Sequence, residues 1–244
     1  ATEADLIDLT PELKEEAKKI LTRYVHGSLF TPPSTEKAGT LLVPGVLGGG
    51  SWAGPAHNPN TGVLYVPSFT IPFAIKLKKE NGAAYDYTGT WAGVGGPDGL
   101  PLFKPPFSTI TAIDMNTGNQ LWRVPAGKGP IEHPAIKAAK LDRVGVPRQS
   151  HIALTDNVLF VAPEGTNIGL STRGTALITQ STKDEAEPFL YAHDVKTGAV
   201  LGEVKLPGGV FGGIMTYRAG GRQFVVAPIG GAGLDAELVA VQVD

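Results

Sequence analysis

An internal repeat constrains the fold of this chain more than any other feature. Residues 110–122 (ITAIDMNTGNQLW) are echoed by residues 190–202 (LYAHDVKTGAVLG), and residues 237–242 form a shortened third copy. Each copy reads as strand, Asp-x-x-Thr-Gly turn and strand. In such a turn the Asp side chain accepts backbone N–H bonds and the Gly takes a positive φ. This context assigns Asp114 and Asp194 to turns rather than to a pair of catalytic carboxylates.

The spacing of the copies predicts a β-propeller. The second and third copies lie 48 residues apart, measured from Ala192 to Ala240. Another pair of short strands precedes each copy, which gives four antiparallel strands per unit. Four strands per unit at this period are typical of propeller blades. The first two copies lie farther apart, and the extra length falls in residues 78–108 and 126–147. We interpret these two segments as long loops on one face, where binding sites usually lie.

The composition agrees with an all-β fold and excludes several classes of function. The 32 glycines and 20 prolines are too many for a helical bundle, and 42% apolar residues are too many for a disordered chain. A net charge of −2 without a basic run argues against nucleic acid as a partner. The absence of cysteine excludes disulfides and thiolate metal sites but leaves the cellular compartment undecided. The histidines show no metal-ligand spacing, so we predict no metal site.

The number of blades predicts that the ring is incomplete. Residues 1–28 read as an N-terminal helical segment in which Thr10 caps and Pro11 begins a helix. Residues 29–244 supply about three to four blades, counting an unpaired strand near residues 40–44. A propeller needs at least four blades to close, and an open arc would leave sheet faces and edges bare. We therefore expect a further segment to complete the ring, either a second chain or the N-terminal part of a precursor cut before Ala1.

A glycine-rich stretch holds the first candidate binding residue. Trp52 follows residues 48–50, which are all glycine, and precedes an Asn-Pro-Asn-Thr-Gly turn at residues 58–62. A large indole on flexible backbone beside small residues suits a flat ligand. The alternative is a core aromatic residue under a loop, because large aromatic residues mostly pack inside.

Beyond the repeat, the chain carries an ordered set of short motifs. They are residues 29–34 (LFTPPS), 39–45 (GTLLVPG), Trp52 with 58–59 (NP), 64–66 (LYV), 110–114 (ITAID), 147–148 (PR) and 215–217 (MTY). This set resembles the C-terminal part of the dehydrogenases that depend on pyrroloquinoline quinone (PQQ), and the membrane-bound-type glucose, sugar and polyol dehydrogenases are the most similar branch. The resemblance runs from about residue 20 to residue 244.

This resemblance implies an eight-bladed propeller, exported to the periplasm, that holds PQQ and a calcium ion in its central channel. It implies oxidation of a sugar, polyol or other alcohol by hydride transfer to PQQ, with a quinone or cytochrome as electron acceptor. The general base and the calcium ligands of the family lie mostly in an N-terminal part outside this sequence. We therefore name no catalytic residue and expect the calcium ligands outside this chain.

The resemblance also identifies two cofactor-binding candidates besides Trp52. Pro67 and Ser68 stand where relatives often have an Asn that reaches the cofactor, and since proline cannot donate, Ser68 takes that role. Arg148 precedes a strand where alcohol-oxidising relatives place a Trp-Gly-Gly. A guanidinium suits the carboxylates or quinone oxygens of PQQ, although Arg148 could instead cap a loop carbonyl. His151 opens the same strand, either as a channel donor or as a structural residue.

A second hypothesis comes from a different class of protein. The chain could belong to a non-catalytic propeller scaffold or assembly module that keeps the blade repeats and binds no cofactor. A scaffold needs neither Trp52 at a glycine-lined rim nor Arg148 pointing inward.

Overall fold

A computed structural model of the chain describes residues 1–50, 53–82, 84–165, 188–231 and 234–243. The described residues form mostly antiparallel sheets, with two 3-10 turns and the helices α1 (Pro11–Thr22) and α2 (Pro134–Ala138). No helix within these ranges is both long and apolar enough to cross a lipid bilayer. The strands are β1 (Thr40–Leu42), β2 (Gly49–Gly50), β3 (Ala56–Asn58), β4 (Val63–Phe69), β5 (Phe73–Lys79), β6 (Tyr87–Gly93), β7 (Ser108–Asp114), β8 (Gln120–Pro125), β9 (Ser150–Leu154), β10 (Val158–Pro163), β11 (Phe189–Asp194), β12 (Val200–Lys205), β13 (Gly209–Val210), β14 (Met215–Ala219), β15 (Arg222–Gly231) and β16 (Leu234–Val243).

Three of the sheets are propeller blades. In blade A, the short strands β2 and β3 both pair with β4, and β7 and β8 follow outward. Blade B has the order β9, β10, β11, β12. In blade C, β13 and β14 both pair with β15, whose other side pairs with β16. The first strands of neighbouring blades contact each other, β3 with β9 and β9 with β14, so these are the inner strands.

The repeated turns form as the sequence predicts. The Asp114 carboxylate accepts the backbone N–H of Asn116 at 2.8 Å, and that of Asp194 accepts the backbone N–H of Thr197 at 2.8 Å. Gly118 and Gly198 complete the two turns with φ values of 75° and 73°. Hydrogen bonds lower the pKa of both carboxyls, that of Asp114 first through the Asn116 N–H and that of Asp194 first through the Thr197 hydroxyl. Together with the positive-φ glycines, these bonds reverse the chain between strands.

Apolar faces hold the blades together. Tyr65 and Ile110 of blade A share a core with Leu159 of blade B, and Phe160 of blade B shares another with Val225 of blade C. At the first interface the carbonyl of Val195 accepts two hydrogen bonds, from the Tyr65 hydroxyl at 3.2 Å and from Trp122 Nε1 at 3.1 Å. This stacking of sheet on sheet around the inner strands is the arrangement of a propeller.

The N-terminal helix follows its sequence signals. The Thr10 hydroxyl accepts a hydrogen bond from the backbone N–H of Leu13 at 3.3 Å, and Pro11 occupies the first helical turn. Leu13 and Leu21 pack with Leu102 and Ile136 in a core of their own. The helix therefore covers parts of the connections between strands. The domain boundary after residue 28 stays a prediction.

One expectation about the connections is wrong. Residues 78–108 do not form a long loop throughout, because β5 and β6 make a hairpin that begins before residue 78. The strand near residues 40–44 is not part of a blade; it is β1, which pairs with β5 to give a separate three-stranded sheet. The strand that the sequence did not reveal is β6, which is largely exposed and contains Gly89 and Gly93, so it lacks the alternation of buried apolar residues that marks a strand.

Candidate functional site

The two ends of the blades differ in the chain segments that they carry. One end carries only tight turns, such as those of Asp114 and Asp194. The other end carries residues 70–107, 126–149, 164–165 and 206–208, which lead from one strand or blade to the next, and we call it the connection face. Ser68 lies near the end of β4, and Arg148 lies just before β9. Both candidates therefore lie on the connection face, in neighbouring blades.

Trp52, the third candidate, lies outside the described residues. The structure places its neighbours Gly49 and Gly50 in β2, where Gly50 is paired with Ser68. The role of Trp52 stays a prediction.

Arg148 belongs to a buried polar cluster at the start of the inner strand of blade B. We define the β9 polar cluster as Arg148, Gln149, Ser150, His151 and Glu164. Arg148 is only 7% exposed. Burial raises the pKa of Glu164, and the hydrogen bond from Gln149 and the positive charge of Arg148 offset this rise only in part. Gln149 Nε2 donates to Glu164 Oε1 at 3.0 Å, and the backbone N–H of Glu164 donates to the Gln149 carbonyl at 2.9 Å. Gln149 thus holds Glu164 through two hydrogen bonds, one to the carboxylate and one to the backbone.

Glu164 also lies at the boundary between two blades. It forms an isolated parallel bridge with Val210, and the next residue, Gly165, donates its backbone N–H to the Val210 carbonyl at 2.9 Å. A Cβ at Gly165 would lie 2.5 Å from the Cα of Gly209, so only glycine permits this approach of the two backbones. The cluster therefore joins blades B and C at the connection face.

Two members of the cluster have polar atoms without a hydrogen-bond partner in the described part of the chain. They are Ser150 Oγ and both ring nitrogens of His151, in side chains 1% and 4% exposed. Burial lowers the pKa of His151, so at neutral pH the ring is uncharged and has one donor and one acceptor nitrogen. Buried polar groups in native proteins nearly always have a partner. Partners for Ser150 and His151 are therefore expected beyond the contacts that the described residues make.

Ser68 lies in a second, shorter polar chain in blade A. Its hydroxyl is 3.0 Å from Thr109 Oγ1, and Thr109 Oγ1 accepts a hydrogen bond from Arg123 Nε at 3.2 Å. Because Thr109 accepts from the guanidinium, its own O–H can be donated to Ser68. That arrangement leaves the Ser68 O–H as a donor to a ligand. The neighbouring Pro67 is buried and has no N–H to offer.

The segment that leads into Arg148 is anchored on the outer side of blade B. Lys128 Nζ and Arg143 Nη2 both bind the Glu203 carboxylate of β12, the arginine at 2.9 Å. The Arg143 guanidinium also lies over the Tyr191 ring, 5.3 Å from its centroid. These contacts lower the pKa of Glu203, first through the hydrogen bond from Lys128. Both ends of the segment 128–143 are thus attached to the outer strand of blade B, before the chain continues to Arg148 and the inner strand β9.

Two further histidines make local hydrogen bonds. His193 Nδ1 is 2.9 Å from the Gly198 carbonyl within its own turn, and His133 Nδ1 accepts the backbone N–H of Ala135 at the start of α2. Among the residues that the structure describes, no three His, Asp or Glu side chains gather closely enough to hold a metal ion.

Sequence reasoning missed Glu164 and Ser150. The signal for Glu164 is a single carboxylate directly after the apolar run at residues 158–163 (VLFVAP). Ser150 carries no such signal, because a serine at the start of a strand is ordinary and its burial depends on the neighbouring blade.

Comparison with known proteins connects this geometry to a family. Residues 1–225 match the family described as "PQQ: Glucose/ethanol/alcohol dehydrogenase, beta-propeller domain". Quinoprotein glucose dehydrogenase A of Acinetobacter calcoaceticus is 27% identical over 229 residues, which are 86% of this chain and 26% of that protein. Quinate/shikimate dehydrogenase (quinone) of Acinetobacter baylyi is 30% identical over 237 residues, which are 85% of this chain and 26% of that protein.

Among solved structures, the quinohemoprotein alcohol dehydrogenase of Comamonas testosteroni aligns with a TM-score of 0.49 and 21% identity, over 82% of this chain and 24% of that one. The chain spans about a quarter of the length of the two curated relatives.

Proposed function

The chain belongs to the PQQ glucose/ethanol/alcohol dehydrogenase β-propeller family, and we propose that it forms one side of the cofactor channel of a larger quinoprotein dehydrogenase. The substrate class is a sugar, polyol or other alcohol that is oxidised at a C–OH carbon. This class follows the printed names of the relatives, which include glucose, quinate/shikimate and glycerol dehydrogenases.

The main support is the donor chemistry of the connection face. The buried guanidinium of Arg148, the hydroxyls of Ser68 and Ser150 and the neutral ring of His151 lie at this end of blades A and B. PQQ is a planar, oxygen-rich molecule with several carboxylates, so it requires cationic and neutral donors. These residues fit that requirement, because the buried atoms of Ser150 and His151 have unused hydrogen-bonding capacity in the described part of the chain.

Each residue of this chain then has a binding or orienting role. Arg148 donates in a planar fork to carboxylate or carbonyl oxygens. Ser68 donates one hydroxyl hydrogen from the neighbouring blade. PQQ, when bound, supplies the hydride acceptor for alcohol oxidation. Trp52 provides a flat surface for the ring system.

Further partners and the location of the protein belong to the same proposal. A segment with additional blades completes the ring and supplies the calcium ligands and the general base. A quinone or cytochrome takes up the electrons, and the complete protein acts in the periplasm or is otherwise exported. The short span of this chain relative to the curated proteins agrees with such a completing segment.

The decisive experiment measures PQQ binding to the whole protein that carries this chain, by equilibrium dialysis, for Arg148→Ala and Arg148→Lys. Loss of a hydrogen bond to a charged group removes about 1.5–3 kcal/mol, so the Kd for PQQ should rise about 10- to 150-fold in Arg148→Ala. Arg148→Lys keeps the charge but loses the fork, and we expect an intermediate Kd.

The matched control is Arg218→Ala, which removes an exposed arginine near the opposite, turn-bearing end of blade C. Its PQQ affinity should equal that of the parent. If Arg148→Ala keeps both its thermal midpoint and the parental Kd, Arg148 is not part of the cofactor site. If the parent protein binds no PQQ, the scaffold hypothesis is favoured instead.

A further inference from the structure

The β5–β6 hairpin ends in an unusually exposed strand. β6 (Tyr87–Gly93) is the last strand of the sheet β1-β5-β6, and six of its seven residues are exposed. Tyr87 and Trp91 are 50% and 46% exposed although both are large aromatic residues. One edge of β6 and much of its aromatic surface are thus open to solvent in the described part of the chain.

The register of the hairpin shows which backbone groups this edge presents. Thr90 is paired with Lys76, and just before β6 the backbone N–H of Glu80 donates to the Asp86 carbonyl at 3.0 Å. Because hydrogen-bonded and non-hydrogen-bonded pairs alternate in an antiparallel sheet, every second residue of β6, counted from Asp86, is hydrogen-bonded to β5. Even-numbered residues of β6 therefore direct their N–H and C=O groups toward β5. The odd-numbered residues direct theirs outward: Tyr87, Gly89, Trp91 and Gly93.

The composition of β6 leaves this edge without the usual protection. Natural edge strands are protected by charged side chains or prolines that prevent pairing with another strand. The outer strands of the three blades follow this rule, with Arg123 in β8, Glu203 in β12 and Asp235 in β16. Residues 87–93 (YTGTWAG) contain neither a charge nor a proline. An exposed edge of this kind is suited to forming an intermolecular sheet.

We propose that β6 is a dimerisation strand that pairs antiparallel with β6 of a second copy, about a twofold axis at Thr90. This axis pairs the full length of both strands. It places Gly89 opposite Trp91 and Tyr87 opposite Gly93 of the other copy, and Thr90 opposite its own counterpart. The outward groups of the odd-numbered residues then form the hydrogen-bonded pairs, while Thr90 occupies a non-hydrogen-bonded position, as the antiparallel pattern requires.

Size and charge make this edge self-complementary. Each large aromatic side chain faces a glycine, and an aromatic residue can cover a cross-strand glycine that has no side chain of its own. A twofold axis brings the residue on the axis next to its own copy, so a charge at that position would repel itself. Because β6 has no charge, no such repulsion arises, whereas the outer edges of the blades carry charges that would clash.

Cysteine trapping tests the register directly, because the chain contains no cysteine. In the whole protein that carries this chain, Thr90→Cys places two sulfurs across a non-hydrogen-bonded pair with Cα atoms about 4.5 Å apart, within disulfide reach. Thr88→Cys is the matched control. Position 88 lies opposite position 92 of the other copy, so the two substituted residues of this variant are about 13 Å apart. We expect a disulfide-linked dimer after mild oxidation for Thr90→Cys and none for Thr88→Cys.

A charge variant tests the same axis in solution. Thr90→Glu faces Lys76 within its own hairpin, so the hairpin should tolerate it, but two carboxylates would meet at the axis. We expect the parent to sediment as a dimer in analytical ultracentrifugation and Thr90→Glu to dimerise at least ten-fold more weakly. A monomeric parent in which Thr90→Cys does not cross-link would show that another segment covers β6. A dimer that Thr90→Glu leaves unchanged would place the interface elsewhere, and both results would overturn the proposal.

Discussion

The turns of blades A and B offer a direct measurement of how tightly the two blades pack. Gly118 and Gly198 occupy the same place in the two Asp-x-x-Thr-Gly turns, with φ values of 75° and 73°. A Cβ at Gly118 would meet nothing within 4 Å. A Cβ at Gly198 would lie 2.7 Å from Cε3 of Trp122 and 2.9 Å from Cγ1 of Val124, both in the neighbouring blade. Alanine at position 118 therefore tests only the cost of the positive φ. Alanine at position 198 tests that cost together with the packing between blades A and B.

The expected free energies of unfolding follow from this difference. A positive φ costs an L-residue about 1–2 kcal/mol, and the reduced freedom of the unfolded chain offsets about 0.4–1 kcal/mol of that. Gly118→Ala should therefore destabilise the protein by about 1 kcal/mol. Overpacking typically adds about 1–3 kcal/mol, so Gly198→Ala should cost about 2–4 kcal/mol.

Urea titration followed by far-UV circular dichroism measures both variants against the parent, and thermal midpoints provide an independent ranking. The double variant shows whether the two effects add, as expected for turns in different blades. Equal losses at the two positions would refute the reasoning, because they would mean that Trp122 does not pack against the Gly198 turn.

Two further predictions concern the same interface and the turn carboxylates. Tyr65→Phe should lower the free energy of unfolding by about 0.5–1.5 kcal/mol. The loss in the double variant with Trp122→Phe should exceed the sum of the two single losses by about 1 kcal/mol, because the Val195 carbonyl then loses both donors. Additive losses in urea titrations would contradict the shared acceptor. For Asp114 and Asp194 the folded pKa is lowered, so the ionised form stabilises the fold above the unfolded pKa of about 3.9, and this contribution is lost as the pH falls through the folded pKa. The double variant Asp114→Asn/Asp194→Asn should therefore have a lower free energy of unfolding than the parent at pH 7, and the two values should converge below about pH 4. A difference between them that stays constant as the pH falls would argue against ionised aspartates in these turns.

The sequence was most informative where the structure is local. The turns at Asp114 and Asp194 and the cap at Thr10 depend on residues within a few positions of each other. Their residue types determine their geometry. The propeller fold follows from repetition of one such unit, and it was therefore predictable from the sequence.

The long-range pairings were not predictable in the same way. The pairing of β1 with β5 joins segments separated by most of blade A, and its register depends on which edge is free once the blades have formed. Likewise, the contacts of Glu164 with Gln149 and Val210 join residues that are distant in the sequence. Arg148 is a candidate from a motif, whereas the place of Glu164 became visible only in three dimensions.

The contacts of Glu203 link the outer strand of blade B to the segment that leads into Arg148. This carboxylate lies on the outermost strand of blade B, yet it binds both Lys128 and Arg143, which flank most of the segment before Arg148. A neutral residue at position 203 would remove both ion pairs from that segment and change how tightly the position of the Arg148 guanidinium is fixed. Under the proposed function, a substitution at this outer position would alter cofactor retention without changing any residue that is proposed to contact the cofactor.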